Sequence, residues 1–212
     1  MTEIVVLVVV LVALSLFKNQ IAGLLAGFLA KAASGVAGPP PRIHLTRVDR
    51  PEWKNEPAVM APVKQLVRLG FEDAGTWVVD EMKLALRALA RPSESIYAVV
   101  YDHHPGTPGA WLDLVTRYED GGSVTYTTSA GPALDSRPGH DKVRAPGVSP
   151  ESLYRRLLSE RPAGRATSPA APEAFQRVFE QAYADEMEWR NKRGGATERE
   201  IRAVAAASGR KV

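Results

Sequence analysis

The sequence predicts an α+β protein: an antiparallel β-meander of about five strands with flanking helices, preceded by an N-terminal transmembrane helix and followed by a C-terminal helical hairpin. Three observations carry this expectation. Asp120-Gly121-Gly122 joins two β-branched and aromatic runs, the pattern of a tight antiparallel hairpin. Helical spacing occurs before and after the strand-rich middle instead of between successive strands. The segment Ile4–Phe17 holds no charged residue and a single hydroxyl, Ser15.

That segment is fourteen residues long, about 21 Å as a helix, and falls short of the ~30 Å hydrocarbon core by itself. A second apolar run, Ile21–Ala30, follows Lys18-Asn19-Gln20. The favoured reading is one membrane helix over about residues 4–24, with Lys18 snorkelling to the interface. A cleaved signal peptide competes through the small-x-small pattern Ala30-Lys31-Ala32, but no positive residue precedes the apolar run. A re-entrant hairpin and a buried soluble helix are the other two readings; the run Val5–Val12 has no polar face to offer water. Lys18, Lys31, Arg42, Arg47 and Arg50 all follow the span. The positive-inside rule therefore predicts a single-pass inner-membrane signal anchor with its C-terminal domain in the cytoplasm. Gly23 and Gly27 form a GxxxG pair with Asn19 one turn earlier, a candidate packing face for a homo-oligomer within the lipid bilayer.

Ser34 to Pro41 ends the helix with glycine and three prolines, so residues 34–57 read as a tether. The soluble domain is expected over 58–161, with a linker at 162–172 and the helical hairpin over 173–212. Within the domain, Val63–Leu69 reads as a short helix stopped by Gly70. Ala74–Val79, Met82–Ala90, Ile96–Tyr101, Trp111–Tyr118 and Ser123–Thr128 read as strands. Met82–Ala90 also fits helical spacing; nearby Pro92 and the neighbouring strands favour a strand. Pro150–Ser159 reads as a helix capped by Ser149. Glu173–Arg190 places Phe175, Val178, Phe179, Ala182 and Met187 at helical spacing. Thr197-Glu198-Arg199-Glu200 is a capping box for a last helix, after Gly194-Gly195.

Composition narrows the function classes. The 212 residues are 45% apolar and contain no cysteine, which excludes a disulfide scaffold, a thiolate zinc site and a thiol nucleophile. Net charge is +3, yet residues 71–130 hold nine acidic against four basic side chains. A nucleic-acid-binding sheet face needs clustered Lys/Arg, so no nucleic-acid partner is expected. Arg42, Arg47, Arg50 and Lys54 follow the apolar segment closely enough to meet anionic headgroups. Trp189 and Arg190 are a further candidate contact for a protein partner or a headgroup.

Chemistry is sparsely signalled. Asp102, His103 and His104 adjoin in one loop and His140 lies in another, so a metal site forms if the loops meet. Ser123, Ser129 and Ser136 are candidate nucleophiles with His140 as base, but no Gly-x-Ser-x-Gly elbow is present. Asp113 reads as an outward-facing strand residue. The strand aromatics Trp77, Tyr97, Tyr101, Trp111, Tyr118 and Tyr126 either fill a core or line an apolar cup. No cofactor is expected. The leading expectation is a membrane-held binding or assembly module; the rivals are a His- or metal-dependent hydrolase and a small apolar ligand-binding domain.

Overall fold

The structure, a computed structural model, describes residues 40–102, 110–131 and 134–207. The N-terminal segment, with Asn19, Gly23 and Gly27, lies outside the described residues, as do His103 and His104. Among the described residues no helix is long and apolar enough to cross a membrane.

The described chain builds one seven-stranded mixed sheet whose strands lie side by side in sequence order. They are β1 (Leu45–Arg47), β2 (Glu72–Val79), β3 (Leu84–Arg91), β4 (Ile96–Tyr101), β5 (Trp111–Arg117), β6 (Ser123–Thr127) and β7 (His140–Arg144). Neighbours from β1 to β6 are antiparallel, and β7 runs parallel to β6. The helices are α1 (Glu56–Arg68), α2 (Pro150–Glu160), α3 (Phe175–Lys192) and α4 (Glu198–Ala207). The α+β class expected from sequence is present, with two more strands than the five expected, one at each edge.

Both edge strands were hidden for physical reasons. β1 is three residues long, and its buried Leu45, with buried Ile43 just before the strand, sits among prolines and arginines that read as a tether. β7 has the sequence His-Asp-Lys-Val-Arg, with a single aliphatic residue, and read as a loop. A parallel neighbour requires a crossover of a dozen residues or more; residues 128–139 supply it.

The local signals account for the rest. Asp120 Oδ1 accepts the Gly122 N–H at 2.9 Å, and Gly121 takes φ 87°, so the β5–β6 turn forms where the Asp-Gly pair stands. Met82 leaves the expected strand for a 3₁₀ turn over Asp80–Met82, after which Lys83 adopts φ 51°. β3 begins at Leu84 as a result. α1 starts seven residues earlier than expected. Asn55 caps it through the Ala58 N–H, Pro57 sits in the first turn where its missing donor costs nothing, and Pro62 is accommodated inside. It ends at Gly70 in a Schellman arrangement, with Gly70 N–H bonded to Val67 O and Phe71 N–H to Leu66 O.

Alternation along the strands separates two cores. On the first face α1 and α2 lay Val59, Val63, Leu66, Leu153 and Leu157 against Ile96, Ala98, Leu112, Leu114 and Tyr126. On the second face Phe175 of α3 packs among Trp77, Leu86, Ala88, Tyr97 and Val99. Its ring lies 5.7 Å from Tyr97 and 6.1 Å from Trp77 between centroids. Trp111 also joins this core, stacked on Tyr101 at 4.5 Å. α3 thus covers the β2–β4 side of the second face and leaves the β5–β7 side open.

The helical hairpin turns at Gly194 and Gly195, both at positive φ. The capping box closes as its sequence indicates: Thr197 Oγ1 accepts the Glu200 N–H at 3.3 Å, and Glu200 Oε2 accepts the Thr197 N–H at 2.9 Å. Glu200 also binds Arg190, Arg193 and the Asp135 N–H, which fastens the hairpin to the β6–β7 crossover.

Candidate functional site

The open part of the second face is the floor of a groove of about 340 Å³. α3 forms one wall and residues 134–137 of the crossover close one end. The sheet register arranges the floor in rows that run across the strands. Arg117, Ser123 and His140 form one row, Val115, Thr125 and Lys142 the next, and Asp113, Thr127 and Arg144 the third. Tyr97 and Val99 extend the second and third rows onto β4. Phe175, Val178, Phe179 and Ala182 of α3 give the groove an apolar wall.

Period-two alternation puts His140, Lys142 and Arg144 on the groove face of β7, while Asp141 and Val143 pair with first-face residues of β6. The strand therefore lays a strip of basic side chains opposite the aromatic wall. Among the described residues, Arg117, Lys142 and Arg144 have no side-chain hydrogen bond or ion pair. Other basic groups on the rim are satisfied: Arg137 pairs with Asp185 at 3.5 Å, and Arg190 with Glu186 at 2.8 Å and Glu200 at 2.9 Å. Partial burial pulls the Arg144 guanidinium below its usual range, opposed by the field of Asp113. Arg144 is thus held, half out of water, without an adjacent counter-ion.

Ser123 Oγ and His140 Nδ1 are 2.8 Å apart, as their paired positions on parallel strands require. Burial lowers the His140 pKa, and repulsion from Arg137 and Arg117 adds to the effect. The imidazole is neutral near neutral pH. Of the candidate serines the structure brings Ser123 alone to the histidine by hydrogen bond. Ser129 is buried, its N–H donating to Thr127 Oγ1, and Ser136 is exposed on the crossover. The Ser123 N–H donates to Gly139 O at 2.9 Å, so it is not free to hold an oxyanion.

The metal reading meets a geometric obstacle. His140 opens β7 and is not in a loop, in the row of Arg117, whereas Asp102 follows Tyr101 at the opposite end of the strands. The six residues of β4 separate those ends, about 23 Å, so Asp102 and His140 do not share an ion. Asp102 is 4% exposed and accepts the Lys54 N–H at 2.5 Å. No group of three or more metal-ligating side chains exists among the described residues.

The basic segment after the expected anchor is exposed at Arg42, Arg47, Arg50 and Lys54. The Arg47 guanidinium lies 5.8 Å from the Trp77 ring centroid. Tyr183 of α3 donates to Pro40 O at 2.9 Å, so the chain enters the domain beside the wall of the groove. Trp189 is half-buried under Arg193 at 4.2 Å. Arg190 is 4% exposed inside its ion pairs with Glu186 and Glu200.

Sequence reasoning missed Arg117, Lys142 and Arg144, and misjudged Asp113, which is 6% exposed and faces the groove. The signal available was the His-x-Lys-x-Arg alternation at 140–144, unreadable without knowing that the segment is a strand. Comparisons with protein-family models, with curated proteins and with solved structures find no match.

Proposed function

We propose that the domain is a binding module for an anionic amphiphile, held at the cytoplasmic face of the inner membrane by the N-terminal segment. The observation that carries the reading is the groove itself. An aromatic and aliphatic wall from α3 faces Arg117, Lys142 and Arg144, which have no side-chain partner among the described residues; Arg117 and Arg144 are partly buried and Lys142 is exposed. A ligand pocket is commonly apolar with a few convergent polar groups, and an unpaired cation withdrawn from water is a cost that an anionic head would offset. Neutral His140, held by Ser123, adds a polar contact beside Arg117. The Ser123–His140 contact is the feature a hydrolase would need, but among the described residues no third group bonds the imidazole and the Ser123 N–H is engaged by Gly139 O; the contact serves here to position the histidine. The apolar span over 4–24 and the basic residues after it support the anchor, and Asn19, Gly23 and Gly27 support its self-association.

Titration of the purified protein with decanoate or dodecyl phosphate, followed by calorimetry, tests the groove. Saturable one-to-one binding is expected, weakened at least about tenfold, or ~1.4 kcal/mol, by R117M or K142M. Binding that is absent, or indifferent to both variants, overturns the reading. Protease added to spheroplasts tests the anchor: the domain is expected to be protected, and its digestion in intact spheroplasts overturns the orientation.

A further inference from the structure

The groove has a second polar end that an anionic head does not use. Asp113 lies on β5 four residues before Arg117 and on the same face, so the two Cα atoms are about 13 Å apart. Between them the floor is Val115 with Tyr97 and Thr125, and the wall is Phe175, Val178 and Phe179.

Asp113 is 6% exposed, and its buried Oδ1 has no hydrogen-bond partner among the described residues. Its neighbours across the row do not supply one. Thr127 accepts the Ser129 N–H through its hydroxyl, and Arg144 makes no ion pair. Tyr101, fully buried nearby, is stacked on Trp111. A buried acceptor left unsatisfied is costly, and an apolar chain end placed against it would leave it so. Arg144 at the same end disfavours an incoming ammonium. What fits is a neutral donor that gives its hydrogen to Asp113 and accepts from Arg144, as a hydroxyl or a primary amide does.

Resting on the reading of the groove as an amphiphile site, we infer that its ligand is bipolar: an anionic head at Arg117 and Lys142, an apolar spacer along Val115 and the α3 wall, and a neutral hydrogen-bond donor at Asp113. The span of about 13 Å between the two ends corresponds to a chain of about ten carbons. Asp113 is then the residue that distinguishes a hydroxyl- or amide-ended chain from a plain alkyl one.

The test compares decanoate with ω-hydroxydecanoate by calorimetry on the full chain and on D113N and D113L. The wild type is expected to bind the hydroxy acid about tenfold more tightly. D113N, which keeps an acceptor oxygen, should retain part of that preference, and D113L should lose or reverse it. Equal affinities on the wild type, or an undiminished preference in D113L, overturn the inference while leaving the amphiphile groove standing. Failure of both acids to bind overturns the groove and the inference together. The wild-type comparison decides the matter even where D113L does not fold.

Discussion

Arg190 Nη1 lies 2.9 Å from Glu200 Oε1, and the two side chains are 4% and 1% exposed. The pair joins α3 to α4, and Glu200 reaches on to Arg193, the Thr197 N–H and the Asp135 N–H. Burial alone would raise the Glu200 pKa, but the bonds from Arg193, Thr197 and Arg190 outweigh it and hold the carboxyl below its ordinary value. Removing the carboxylate leaves Arg190 with Glu186 and Arg193 with Asp135 but strands the Asp135 and Thr197 N–H groups, a loss of about 1–3 kcal/mol. Urea unfolding of E200A checks this. A loss below about 1 kcal/mol would show that the hairpin is held by its apolar contacts alone.

Stability should fall in two steps as the solution is acidified. The folded His140 pKa lies below its unfolded value of 6.5, so the unfolded chain binds the extra proton first. Stability is therefore full above about pH 6.5 and declines as pH drops towards the folded pKa. Glu200 is also depressed; its contribution is present above 4.5, the unfolded value, and is lost as pH falls through the folded pKa. Unfolding midpoints from pH 8 to pH 3 should show both declines, and H140Q should remove the upper one. A wild-type curve flat between pH 7 and pH 5 would contradict the assignment.

Gly122 is fixed by close approach, not by its backbone angles. A Cβ there would meet Arg165 Nη2 and lie 2.6 Å from the Gly139 carbonyl oxygen. Arg165 can swing aside, but Gly139 O accepts the Ser123 N–H and holds β7 to the turn. Gly122→Ala should cost about 1–3 kcal/mol, read by urea unfolding, and should weaken groove binding by displacing His140.

Arg144 offers the opposite trade. Among the described residues it is half-buried with no ion pair, so Arg144→Met should leave thermal stability unchanged or raise it slightly while weakening the preference for a hydroxyl-ended ligand. Differential scanning calorimetry with and without ω-hydroxydecanoate separates the two effects. A destabilised apo protein would indicate that Arg144 supports the sheet and is not held in reserve for a ligand.

The parts of the fold legible in the sequence are those where chemistry is local. Asp120-Gly121 dictates its own turn, Thr197 and Glu200 cap their own helix, and Ile96–Tyr101 is strand whatever surrounds it. The groove was not legible because it depends on pairings distant in sequence. His140 meets Ser123 only after a crossover, Tyr97 is covered by Phe175 and bonded to Ala171 O, both more than seventy residues on, and Asp113 is buried between strands that flank its own. Asp113 therefore read as outward-facing by composition, and Arg117 and Arg144 as ordinary surface charge.

The roof of the second face has a consequence for biogenesis. Trp77, Tyr97, Val99 and Tyr101 leave the ribosome some 75 to 100 residues before Phe175 of α3, and synthesis proceeds at roughly 5–20 residues per second. For several seconds the nascent sheet presents an uncovered aromatic face. A chain truncated before α3 keeps that exposure permanently. Any such fragment should be recognised by chaperones and proteases through that uncovered face.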